Sequence, residues 1–102
     1  MNLVSKEGVL KFLPFPKNSL QAIGSYILVP SRFYKRYLDK NLSTLDESLL
    51  IHEQVHLDRQ AQVGVLRWMI KYVVSADFRY QEELVALEAQ IEFLKQRNQV
   101  PQ

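Results

Sequence analysis

The chain has two histidines, and they stand four residues apart in His52-Glu53-Gln54-Val55-His56. On a helix, residues four apart lie one turn apart on one face, so both imidazoles can reach a single ion. Glu53 projects about 100° further round, near enough to take a proton from a water that the ion activates without being a ligand itself. That is the arrangement of zinc-dependent hydrolysis, which needs three protein ligands, an open position and a water whose pKa is drawn towards ~7. Two histidines on an amphipathic helix can also be coincidence, because the pentapeptide alone is only moderately specific. Random placement of two histidines at this spacing, with Glu after the first, has odds on the order of 1 in 1,000, which favours chemistry.

The element that must carry these residues is a helix. Thr44 and Glu47 have capping-box spacing and open a helical pattern that runs to about Gly64. His52 and His56 share a face with Leu45, Leu49 and Val63, while Leu50, Ile51, Val55 and Leu57 point elsewhere. A helix apolar on several sides is packed from several sides, so the spacing predicts a central helix and a walled, partly dry site.

A third ligand must come from a carboxylate, because the chain has no cysteine and both histidines are already placed. The candidates are Glu82, Glu83, Glu88 and Glu92, on a helix that Ser75 or Asp77 could cap and that continues to about Arg97. Its apolar stripe, Tyr80, Leu84, Leu87, Ile91 and Leu94, is taken as the buried direction. Glu83 lies about 60° from that stripe, Glu88 roughly 80°, and Glu82 about 160°, which predicts Glu83 as the ligand and Glu82 in water.

The remaining elements set the fold class. Val9–Leu13 and Ser25–Val29 read as short strands, the first stopped by Pro14 and the second by Pro30. Ser31 can cap a short helix ending near Asn41, and a further helix spans Val65–Val74. Strands followed by helices give an α+β class. The 102 residues suffice for one domain, and 47% hydrophobic with 24% charged residues excludes disorder. No secretory leader or membrane-spanning run is evident, so a cytoplasmic location is expected and a membrane is not an expected partner.

A His-Glu-x-x-His helix followed, after a helical connection, by Glu83-Leu84-Val85-Ala86, with Arg79 before it and Gln90 after it, resembles the gluzincin peptidases. In size the chain is similar to their smallest members, the minigluzincins, and to short phage-type metallopeptidase domains. The resemblance runs from about Ala22 to Gln90 and takes Gly24–Val29 as the strand before the active-site helix. It implies one minimal metallopeptidase domain over 1–102, with short strands followed by a zincin-like bundle of about four helices. It further implies zinc on His52, His56 and Glu83, Glu53 as general base, and a peptide or protein substrate pairing with an edge strand, here Ser25–Val29. Many such proteins carry Asp directly after the Glu-x-x-Ala; here Leu87 stands there, so that supporting partner must come from elsewhere. The Asn-Glu pair of thermolysin-like enzymes and the aminopeptidase-like motif are absent, and oxyanion stabilisation falls to Tyr72, Tyr80 or Arg79.

Two other features have bland readings. Arg32, Lys35, Arg36 and Lys40 surround Phe33, Tyr34 and Tyr37, a pattern that can meet nucleic acid. With a net charge of +2, it reads more readily as the solvated face of a short helix, and nucleic acid is not the expected partner. Trp68, Met69, Tyr72 and Val73 have helical spacing and read as core. The alternative to a peptidase is a catalytically silent metal- or peptide-binding protein of the same fold with a phage-type assembly role. The two differ in whether Glu53 is needed.

Overall fold

The computed structural model describes residues 2–6 and 19–99; the Val9–Leu13 strand expected from sequence lies outside them. Strands β1 (Asn2–Ser5), β2 (Gln21–Ile23) and β3 (Tyr26–Val29) precede helices α1 (Ser31–Leu38), α2 (Thr44–Val63), α3 (Val65–Val74) and α4 (Ala76–Gln99). The protein is therefore α+β and mostly helical. β2 and β3 form an antiparallel hairpin with Ile23 opposite Tyr26. Its two-residue turn begins at Gly24, whose φ of 61° is open to glycine without steric penalty. β1 pairs with β3 in parallel, giving the order β1-β3-β2.

This order corrects one expectation. The Ser25–Val29 segment is a strand from Tyr26 onward, but it is the middle strand of the described sheet. Ile27, Leu28 and Val29 are buried, which is what a strand covered on both sides requires. Among the described residues, the edges are β1 and β2. Strands of four and three residues are too short for their alternation to stand out in sequence, so neither edge was legible there.

The apolar core lies between the sheet, α1 and α2. Ala22, Ile27, Val29, Phe33, Leu50 and Leu57 form its centre, with Leu3, Leu20, Tyr34 and Leu42 packed around it. α2 touches α3, α4, β2 and β3, so the helix carrying both histidines is central, as its composition predicts. Its capping box is Ser43 with Asp46, one residue before the expected pair. Asp46 N–H donates to Ser43 Oγ (3.0 Å) and Ser43 N–H donates to Asp46 Oδ2 (3.1 Å). Arg36 holds the same carboxylate at 2.9 and 3.0 Å, tying α1 to the start of α2, while Glu47 pairs instead with Arg97.

α1 begins at Ser31 with Pro30, not Ser31, in the capping position. It stops at Leu38, short of Asn41, because Lys40 takes φ 55° and Asn41 N–H and Lys40 N–H turn back to the carbonyls of Arg36 and Tyr37. Gly64, at φ 103°, separates α2 from α3. Ser75 Oγ accepts from Phe78 N–H at 3.1 Å, making Ser75 the cap of α4. Among the described residues, no helix is long and apolar enough to cross a membrane.

Candidate metal centre

Every fourth residue of α2 from Ser48 to Gln60 is polar and turned inward: Ser48, His52, His56 and Gln60. Ser48, His56 and Gln60 are buried, and each member of the ladder finds a different neighbour. Gln60 closes against the hairpin, with its Nε2 donating to the Ala22 carbonyl (2.7 Å) and its Oε1 accepting from Gly24 N–H (2.8 Å). The two imidazoles face α4. Their rings lie 5.0 Å apart, nearly perpendicular, and their Nε2 atoms converge on one carboxylate. His52 Nε2 is 3.1 Å from Glu83 Oε2, and His56 Nε2 is 3.0 Å from Glu83 Oε1.

These three residues each offer a ligand atom, all within 4.8 Å of one another. Tetrahedral coordination at bond lengths of 2.0–2.1 Å puts neighbouring ligand atoms about 3.3 Å apart. Here each imidazole meets a different oxygen of Glu83 at hydrogen-bond length, and the three groups are close enough that small side-chain shifts would bring them onto one ion. Supporting contacts hold the set. Tyr72 Oη donates to Glu83 Oε1 at 2.7 Å, and His56 packs edge-on to Tyr72 and tilted against Trp68. Trp68 and Tyr72 stack at 4.8 Å, forming an aromatic wall behind the second histidine. His52 Nδ1 contacts Gln90 Oε1 (3.0 Å), so α4 supplies the partner that Leu87, 45% exposed, does not.

The electrostatics follow from burial and from these pairings. Desolvation pushes the Glu53 carboxyl up to about 7, against the pull of His56 and His52. A carboxyl near neutrality is suited to taking and returning a proton. Hydrogen bonds from His52 and then His56 hold Glu83 well below the usual carboxylate range. The same pairing with Glu83 raises His52, and burial followed by the Glu83 hydrogen bond raises Tyr72. Burial lowers Lys6, which donates through Nζ to the Ser19 carbonyl, while the charge of Glu53 acts the other way.

Glu82 overturns the sequence reading. It is 1% exposed rather than solvated, with Arg59 Nε donating to its two oxygens at 2.8 and 2.7 Å and Trp68 Nε1 donating at 2.6 Å. The reason is that the apolar stripe of α4 is not its most buried direction: Tyr80, Leu87 and Ile91 are 63%, 45% and 43% exposed, and Leu84 and Leu94 are only half-buried. α4 meets α2 through Glu82, Glu83 and Gln90 instead, a direction roughly 100° from the stripe, and Ala86 on the same side is fully buried. Glu83 falls between the two directions, which is why it is inward on either reading.

A cavity of about 330 Å³ opens over the histidines. Leu20, Ala22 and Ile23 from the β2 segment and Met69, Tyr72 and Val73 from α3 line it, together with Glu53 and Glu83. Of the four residues read as core, Trp68 is buried, Met69 and Tyr72 are half-buried and Val73 is 74% exposed, and all four line this cavity. Of the three oxyanion candidates, Tyr72 borders the cavity. Tyr80 is exposed, and Arg79 is occupied over the Tyr72 ring and at the Tyr72 carbonyl. Ser48, Gln60 and Gln90 were missed as site residues, although the four-residue ladder through 52 and 56 and the seven-residue step from 83 to 90 mark them. Comparison with known proteins finds no matching family model, no matching curated protein and no matching solved structure.

Proposed function

We propose that the chain is a zinc-dependent peptidase of the gluzincin type, with a zincin-like arrangement in which α2 is the active-site helix. The observation that carries this reading is the convergence of both Nε2 atoms on the two oxygens of Glu83, at 3.1 and 3.0 Å, beside a carboxyl raised to about 7. His52, His56 and Glu83 would hold the ion. When bound, zinc supplies a Lewis acid that polarises a peptide carbonyl and acidifies a water. Glu53 would serve as the general base and acid of the hydrolysis, and the Tyr72 hydroxyl, which borders the cavity and donates to Glu83, would be the candidate donor to the oxyanion.

The substrate is an extended peptide. β2 is an edge strand beside the site, and a peptide can add to it by main-chain pairing. Gln60 already occupies the Ala22 carbonyl and the Gly24 N–H, which confines such pairing to the Leu20 end of the strand. Ile23, Met69 and Val73 favour an apolar side chain next to the bond that is cut.

The test combines metal analysis with a broad peptide-cleavage screen. Wild type and Glu53→Gln should each carry about one zinc per chain, with cleavage in Glu53→Gln reduced on the order of 10²–10⁴-fold. His56→Ala and Glu83→Ala should lose the metal. Full zinc in Glu83→Ala, or undiminished cleavage in Glu53→Gln, would refute the proposal. Stoichiometric zinc with no cleavage of any peptide would favour the silent binding protein.

A further inference from the structure

One chain of contacts decides which ring nitrogen of His52 is free for an ion. It starts at the Leu45 carbonyl, which can only accept. Ser48 Oγ lies 2.6 Å from that oxygen and gives it its single hydrogen, keeping its lone pairs for Gln90 Nε2, 3.1 Å away. The carboxamide is thereby oriented with Oε1 towards His52, 3.0 Å from Nδ1. An amide oxygen has no hydrogen to give, so Nδ1 carries the proton, and a neutral ring then has its lone pair on Nε2. Nε2 faces Glu83 Oε2 at 3.1 Å, where a proton of the imidazolium or, on the neutral ring, a cation can join the two.

We infer that Gln90, oriented by Ser48, is a positioning residue that holds His52 in the Nδ1–H tautomer and presents its Nε2 lone pair to the metal; this rests on the metal-site reading above. The relay is built equally from two helices. α2 supplies Ser48 and, one turn on, His52; α4 supplies Glu83 and, two turns on, Gln90. Ser48 is fully buried and Gln90 half-buried, so the relay sits where water is a poor substitute for either partner. His56 provides the contrast. Its Nδ1 is buried with no hydrogen-bond partner among the described residues, and its ring is held by packing on Trp68 and Tyr72. Of the two histidines, only His52 has a hydrogen-bond partner at Nδ1 among the described residues.

The experiment uses the full chain with zinc itself as the probe. Zinc affinity is measured by chelator competition for wild type, Gln90→Met and Gln90→Glu, and the imidazole N–H of His52 is followed by NMR in the zinc-loaded protein. Methionine keeps the length of the side chain but removes the acceptor, so Gln90→Met should bind zinc on the order of 10–100-fold more weakly and lose the protected Nδ1–H signal. Gln90→Glu retains an acceptor oxygen and should recover most of both. Thermal melts without zinc separate a folding defect from this effect, because rescue by Glu follows the acceptor and not the fold. Equal zinc affinity in wild type and Gln90→Met, or a proton on Nε2 in zinc-loaded wild type, would overturn the inference and leave the metal site standing. A wild type that takes up no zinc would remove both.

Discussion

Alanine at Glu82 and alanine at Glu83 should produce opposite losses, although the carboxylates are neighbours in sequence. Glu82 is almost wholly enclosed, and its partners are the Trp68 N–H and the Arg59 guanidinium. Removing it strands a buried indole donor, which costs about 1–3 kcal/mol. Arg59 is partly exposed and can rehydrate, so the lost ion pair adds about 1 kcal/mol and not the full value of a buried pair. The sum is about 3 kcal/mol, which for a domain this small lowers the melting temperature by roughly 10–20 °C. Glu83 is more exposed, and its removal also relieves the repulsion it exerts on Glu53. Without metal, Glu83→Ala should therefore cost about 1 kcal/mol or less.

Urea unfolding of the zinc-free variants, followed by circular dichroism, measures both numbers. Zinc then separates the roles. An ion at 1,000 times its dissociation constant stabilises the fold by about 4 kcal/mol, enough to restore Glu82→Ala but not Glu83→Ala, which lacks a ligand. A loss below about 1 kcal/mol for zinc-free Glu82→Ala, or a loss equal to that of Glu83→Ala, would refute the reasoning. So would zinc rescue of Glu83→Ala.

Three other outcomes follow from the fold. Asp46→Asn removes the charge that caps α2 and binds Arg36, and should cost about 1–2 kcal/mol at neutral pH. The hydrogen bond from Arg36 holds Asp46 below its ordinary value, so its contribution is present above the unfolded pKa of ~3.9 and is lost as pH falls through the folded value; the variant should flatten that acid limb in unfolding titrations. Lys40→Gly should stabilise by about 0.5–1 kcal/mol in urea unfolding, because Lys40 holds a left-handed conformation that glycine adopts freely. Leu87→Ser should shift stability by no more than about 0.5 kcal/mol, whereas Ala86→Leu, at a fully buried position of α4, should cost about 1–3 kcal/mol.

Helix positions were readable because their signals are local. Gly64 and Ser75 delimit α3 at the expected residues, and the offset of α2's cap by one residue arises because Arg36, from another element, selects Asp46. The facing of α4 was not readable by hydrophobicity, since the rule that apolar residues point inward fails where an interface is made of polar contacts. Tyr80, Leu87 and Ile91 point outward, and Glu82, Glu83 and Gln90 point in. Glu82 was lost to that error. Its partners, Arg59 and Trp68, lie 23 and 14 residues away, and nothing local announces them.

The division between apolar and polar contacts is itself an argument about the site. Burial of apolar surface is non-directional, so it can stabilise β3, α1 and one side of α2 without fixing any atom to within a few tenths of an ångström. The α2–α4 interface is held by hydrogen bonds at Ser48–Gln90, His52–Gln90, His52–Glu83 and Arg59–Glu82, each of which fixes distance and direction. A helix pair joined in this way gains less from burial than an apolar seam would give, and Leu87 and Ile91 show that α4 carries the residues for such a seam but turns them elsewhere. Stability alone would have favoured turning them inward. The polar face is instead turned inward, where Glu83 and Gln90 meet the histidines of α2, the arrangement that the proposed metal site would require.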